Sequence, residues 1–258
     1  MTPMSSFSAP AKKKVEYINI TYETKDNFII KSKLFYPTTN EKVYPVAIFL
    51  HSLGYSSDYW GNLTKKFVDA GIAAIVIDLR GHGESVYNSD FKIQSWIYYT
   101  EKNYAKYPED IAEFLQYIAT NYNDISTTNY TFVGADVGAN TAILTAEKMN
   151  LKPQCLVLMS PSENFKGLYT PISLAKIGPV PTLAVVSQND RYFVNEAVKL
   201  TPFAQGEYTI KKYPVGGTGM MMLKVNPNMA DDIVNWVKSY LIGQTTPEKI
   251  QEKEKTQK

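Results

Sequence analysis

Residues 130–140 read Tyr130-Thr-Phe-Val-Gly134-Ala-Asp136-Val-Gly138-Ala-Asn140, a short apolar run that ends in Gly-x-Asp-x-Gly and opens onto a helical pattern. This is the strand-turn-helix setting of a nucleophile elbow, with Asp136 where a serine usually stands. Two glycines let the backbone reverse sharply, which holds the central side chain above the end of a sheet instead of inside the core. A second feature bears on the same place. The chain has 2 histidines, His51 and His82, and both precede this turn. A triad in the order nucleophile, acid, histidine therefore lacks its base.

Working outward, Val46–Leu50, Ala73–Ile77, Thr131–Val133, Cys155–Met159 and Thr182–Val186 are short, continuous apolar runs. Such runs suit strands covered on both faces. Helical stretches are expected between them, at about Tyr59–Ala70, Pro108–Asn121, Gly138–Met149, Val194–Phe203 and, last, Asn228–Leu241. Before them, residues 15–25 and 28–37 alternate apolar and polar around Lys25-Asp26-Asn27, as in an antiparallel hairpin at a sheet edge. Regular alternation of strand and helix predicts an α/β fold: a doubly wound, mostly parallel sheet with helices on both faces. The expected organisation is a polar leader at 1–14, one domain over 15–243, and a polar tail at 244–258.

Bulk properties narrow the classes. With 258 residues, one large core is expected, and a formal net charge of +2 does not suggest a nucleic-acid surface. The single cysteine, Cys155, lies in an apolar run and reads as a small buried hydrophobe. The apolar runs are of strand length and residues 1–14 lack a signal-peptide core, so no membrane association and a cytoplasmic location are expected. An exported form would follow if a leader had been removed ahead of Met1. No His or Cys pair stands at metal-ligand spacing, so neither a metal nor another cofactor is expected. Oligomeric state is not legible.

Ligands bind beyond the carboxyl ends of the strands in such sheets. Those ends carry His51-Ser-Leu53-Gly54, Asp78-Leu-Arg-Gly-His82-Gly-Glu-Ser85, the turn at Asp136, and Ser187-Gln-Asn-Asp190. Together these motifs, in this order, resemble the α/β-hydrolase superfamily over about Val15–Leu241, closest to lid-poor esterases and dienelactone-hydrolase-like members. The resemblance implies that Asp190 is the triad acid, and that Leu53 and Val137 offer backbone N–H groups to an oxyanion. It places the family's histidine within Tyr213–Met220, at Gly216. Nucleophile and base are thus both altered.

Two readings follow. In the first the chain is a catalytically degenerate member, a pseudoenzyme, whose pocket binds a small apolar or ester-like molecule, as in the gibberellin receptor. In the second it is an active hydrolase that uses Asp136 atypically, as haloalkane dehalogenases and epoxide hydrolases use an elbow aspartate. Against the second stand Val137 in place of their tryptophan, only about twenty residues (161–181) where their helical cap would lie, and no base to activate water. His51 is the one candidate substitute base; its bland reading is a structural part of the oxyanion loop. His82 reads as a brace of its glycine-rich loop. An aromatic series from Tyr55 through Trp60, Trp96 and Tyr99 to Tyr107 would either rim a pocket or fill the core.

Overall fold

The computed structural model describes residues 16–242, so the leader and the tail lie outside the described residues. Its strands are β1 (Tyr17–Glu23), β2 (Ile29–Phe35), β3 (Tyr44–Leu50), β4 (Ala73–Ile77), β5 (Ile125–Ala135), β6 (Cys155–Met159), β7 (Asn164–Phe165), β8 (Leu168–Tyr169), β9 (Thr182–Ser187) and β10 (Tyr208–Tyr213). Its helices are α1 (Gly61–Asp69), α2 (Glu101–Tyr104), α3 (Tyr107–Asn121), α4 (Val137–Lys148), α5 (Pro171–Lys176), α6 (Arg191–Leu200), α7 (Met221–Val225) and α8 (Met229–Leu241).

Eight strands form one sheet in the order β1-β2-β4-β3-β5-β6-β9-β10. β1 and β2 pair antiparallel, β2 meets β4 antiparallel, and the remaining pairs are parallel. Side-chain alternation divides the core between the two faces. Ile48, Leu50, Ile75, Phe132 and Leu156 point to the side covered by α3 and α4. Their neighbours Ala47, Phe49, Val76, Val133 and Val157 point to the side covered by α1 and α8. Because both faces are covered, these strands need apolar side chains at every position, which is why they read as continuous runs.

α3 buries Ile111, Phe114, Leu115 and Ile118 along one stripe, and Pro108 in its first turn lacks the N–H that would go unpaired there. α4 is different. It is buried over most of its length and built from small residues, with Ala139, Ala142 and Ala146 against the sheet. A Cβ on Gly138 would stand 2.0 Å from the Leu50 carbonyl oxygen, so only glycine permits this approach.

Several elements were not evident in the sequence. β10 carries Lys211 and Lys212 on a half-exposed edge, where pairing on one side tolerates charge and the apolar signal is weak. The expected loop at 161–181 holds the β7–β8 hairpin and α5. That hairpin turns on Lys166 (φ 53°) and Gly167 (φ 84°), the two positive-φ positions that a tight hairpin requires. Gly167 rests against the Glu101 side chain at the start of α2, so this short cap and α2 lie together.

Candidate active site

Asp136 joins β5 to α4 at φ 54° and ψ −115°. For a non-glycine residue that conformation costs on the order of 1–3 kcal/mol. Its surroundings hold it there: the Asp136 N–H donates to the Met159 carbonyl at 2.8 Å, and its own carbonyl accepts from Ala139 N–H at 3.0 Å. The approach is closed from below, since a Cβ on Gly134 would come 2.4 Å from the Gly138 carbonyl oxygen. The carboxyl group is therefore lifted above the ends of β3 and β5.

The Asp136 side chain is 7% exposed. Leu53 N–H, in the loop after β3, donates to its Oδ2 at 3.2 Å. Burial pushes the carboxyl up to about 6, against the opposing pull of the Leu53 and Val137 amides; the Asp190 carboxylate adds to the rise and Lys166 lessens it. Tyr104, 3% exposed, is close enough for the Asp136 charge, after its own burial, to raise its phenol.

The loop between β10 and α7 closes over this carboxyl. Gly219 (φ 54°) sits so near that an added Cβ would lie 3.3 Å from Asp136 Cβ and 2.3 Å from Ser52 Oγ. Gly219 N–H donates to Ser160 Oγ at 2.8 Å, and Met220 N–H donates to Ser52 Oγ at 3.2 Å. Thr218, one residue earlier, donates from Oγ1 to Asp190 Oδ2 at 2.6 Å. The other oxygen of Asp190 caps α6 by accepting from Phe193 N–H at 3.4 Å.

This arrangement bears on two positions named from the sequence, Gly216 and His51. Gly216 does not face Asp136: a Cβ there would run into Met222 and the Asn226 amide on the α7 side. The residue that reaches the Asp190 carboxylate is Thr218. Three glycines with positive φ in this loop, Gly216 (137°), Gly217 (65°) and Gly219 (54°), let the chain double back, so linear register could not locate the contact. His51 is likewise committed elsewhere. Its Nδ1–H donates to the Ser52 carbonyl at 2.8 Å and its Nε2 accepts from Leu79 N–H at 3.0 Å, which selects one neutral tautomer and leaves no nitrogen for Asp136. Burial holds its pKa down at about 4.

His82 braces its loop. Its Nδ1 lies 3.1 Å from the Arg80 carbonyl, and its ring stacks on Trp96 at 5.3 Å. Arg80 is itself pinned between Asp110 and Asp26. The aromatic series divides between the two readings offered by sequence. Trp60, Tyr104 and Tyr107 are buried, Tyr55 pairs with Tyr59, and Trp96 packs on Gly54, next to Leu53. The sequence gives no local signal for Ser52, Ser160, Thr218 and Gly219, because their contacts span 28 to 168 residues.

Residues 41–256 match the family described as serine aminopeptidase, S33. The chain belongs to this family of the α/β-hydrolase superfamily. No curated protein sequence matches it. Solved structures similar to it include a dienelactone hydrolase from Anabaena variabilis, with 13% identity and a TM-score of 0.65 over 88% of this chain and 97% of that one. A highly thermostable carboxyl esterase from Bacillus coagulans, in complex with glycerol, shares 12% identity with a TM-score of 0.68 over 89% and 100% of the two chains. A PEG-bound, cold-adapted esterase from an Arctic intertidal metagenomic library shares 14% with a TM-score of 0.66 over 92% and 100%. At these identities the likeness is one of fold. Among the described residues no group of acids, histidines or cysteines is arranged to hold a metal ion, and no helix is long and apolar enough to cross a membrane.

Proposed function

We propose that this S33-family protein is a catalytically retired α/β-hydrolase that serves as a binding protein for a small apolar or ester-like molecule. In this reading the turn at Asp136 is a former nucleophile elbow, and the N–H groups of Leu53 and Val137 are a former oxyanion hole. Asp190 is the former acid.

One observation carries the proposal: each group that would act on an ester is already engaged by another group of the chain. The Leu53 N–H that would meet an oxyanion donates to Asp136. The Asp190 carboxylate that would orient a histidine accepts from Thr218. Backbone at Gly219 fills the space beside Asp136, and both nitrogens of His51 are engaged by Ser52 and Leu79. Loss of a triad nucleophile or base alone removes on the order of a million-fold in rate. The binding half of the proposal draws on the fold, since the esterases above hold PEG and glycerol, and on the aromatic side chains of Trp96 and Tyr104 near the turn.

A second reading has its own support. A buried carboxyl with a pKa of about 6 is suited to proton transfer near neutral pH, so Asp136 would be a general base or nucleophile of an atypical hydrolase. Hydrolysis of short-chain p-nitrophenyl esters by the purified protein separates the two. The retired-enzyme reading expects no turnover from the natural protein or from Asp136→Ala. It expects esterase activity to appear in the double variant Asp136→Ser, Thr218→His. Turnover by the natural protein that is abolished in Asp136→Ala would overturn it and establish the second reading.

A further inference from the structure

The Asp136 carboxyl has one oxygen to spare. Oδ2 accepts from the Leu53 N–H, whereas Oδ1 accepts no hydrogen bond among the described residues and is not sealed from solvent. The Val137 amide attracts the carboxyl from the start of α4 without bonding this oxygen. The residue keeps 7% of its surface, so the opening suits a head group about the size of a water molecule. A carboxylate oxygen has room for two donors, and this one meets the opening with its lone pairs free.

The surroundings give this oxygen a chemical preference. The Asp190 carboxylate is near enough to raise the Asp136 pKa, against the ammonium of Lys166 on the exposed turn of the β7–β8 hairpin, and Glu101 packs on that same turn at Gly167. Acids therefore outnumber cations there. Among the described residues no third acid, histidine or cysteine completes a metal-holding group with Asp136 and Asp190. The neighbouring wall is aromatic. Trp96 is half-buried, with its ring stacked on His82 and its edge against Gly54, next to Leu53. Tyr104 donates to the Trp96 carbonyl at 3.5 Å, and its phenol is raised by burial and by the Asp136 charge. Ile97, 67% exposed, carries the apolar surface outward. A free carboxylate oxygen beside an aromatic wall is complementary to an ammonium on an apolar body.

We propose that the turn at Asp136 binds a primary amine, whose ammonium donates to Asp136 Oδ1 and whose apolar body lies along Trp96. This ligand class rests on the binding reading given above and names its chemistry. A primary ammonium has the size that the opening suits, and it brings N–H donors to an oxygen that lacks one. An anionic ligand would meet Asp136 and Asp190 as like charges, which is costly where water is excluded. In that reading, aspartate at the elbow converts a place for an oxyanion into a place for a cation.

Isothermal titration calorimetry of the full chain with hexylammonium chloride at pH 7.5 is the test. Saturable binding is expected, at least tenfold tighter than that of hexan-1-ol, which has the same chain length without charge. It should also be at least tenfold tighter than that of hexyltrimethylammonium, which has the charge without an N–H. Asp136→Asn, which removes the charge and keeps the shape, should weaken hexylammonium tenfold or more while the variant stays folded by circular dichroism. The ionisable groups facing the carboxyl are Asp190, Lys166 and Tyr104. Lowering the pH from 7.5 to 5 crosses the Asp136 value of about 6 and protonates about nine-tenths of it. Binding by the natural protein should weaken about tenfold on that step, and residual binding by Asp136→Asn should change little. Equal affinity in Asp136→Asn, equal binding of either control, or no saturable binding of hexylammonium at millimolar concentration would overturn the proposal. Hexan-1-ol that binds as well as hexylammonium would leave the apolar-ligand reading standing, whereas the retired-enzyme reading fails separately, on ester turnover by the natural protein.

Discussion

Replacing Asp136 by asparagine removes the charge but keeps the shape and an oxygen for the Leu53 N–H. The folded carboxyl titrates at about 6, because burial outweighs the donated amides, and in the unfolded chain it returns to its ordinary value of 3.8. A raised carboxyl pKa means that the folded protein binds the extra proton between those limits. Ionising Asp136 therefore costs stability: nothing below about 3.8, and the full amount above about 6. A difference of about two pKa units is worth about 3 kcal/mol at pH 8, falling to about 1 kcal/mol at pH 4.5. For a domain of this size, Asp136→Asn should raise Tm by roughly 5–10 °C at pH 8. The assay is urea unfolding of both proteins at pH 8 and pH 4.5, followed by circular dichroism. Destabilisation by asparagine at pH 8, or a gain of equal size at both pH values, would refute the reasoning, because either would mean that the burial of this carboxyl does not govern its ionisation.

Three further outcomes follow from other contacts. Burial, with the His51 charge contributing, holds His82 at about 3, and burial holds His51 at about 4. Their stabilising effect is complete above 6.5 and is lost as pH falls below it. Asp136 opposes that loss, so between pH 6 and 4.5 the unfolding free energy should fall more steeply in Asp136→Asn than in the natural protein, by about 1 kcal/mol per pH unit; His82→Phe in the Asp136→Asn background should take a similar amount off the slope, and equal slopes in the natural protein and Asp136→Asn would contradict the assignment. Gly219→Ala should cost about 2 kcal/mol or more, measured by urea midpoint, because a Cβ meets Ser52 Oγ at 2.3 Å on a backbone with φ 54°. Asp110→Ala leaves the Arg80 guanidinium, 6% exposed at its side chain, without its bidentate partner and should cost about 3–5 kcal/mol, whereas replacing both residues by apolar ones should recover most of that loss.

Among the described residues, the sequence alone determined the edge hairpin, the five buried parallel strands, the principal helices and the turn at Asp136. Each of these leaves a local mark: strands covered on both faces must be apolar throughout, α3 must carry an apolar stripe, and the turn needs Gly134 and Gly138 at fixed offsets. The charged edge strand β10 and the short β7–β8 cap escaped, since a strand paired on one side and a two-residue ladder impose little on composition. Tertiary structure alone decided what surrounds Asp136. That Leu79 takes the second nitrogen of His51, that Thr218 and not Gly216 meets Asp190, and that Gly219 lies on Asp136 all depend on residues 28 to 83 positions apart and on a glycine loop whose φ values have no preferred register. Burial, and with it the shifted ionisation of Asp136, arises only when those segments close together, because the cost of a charge is set by the water its neighbours exclude.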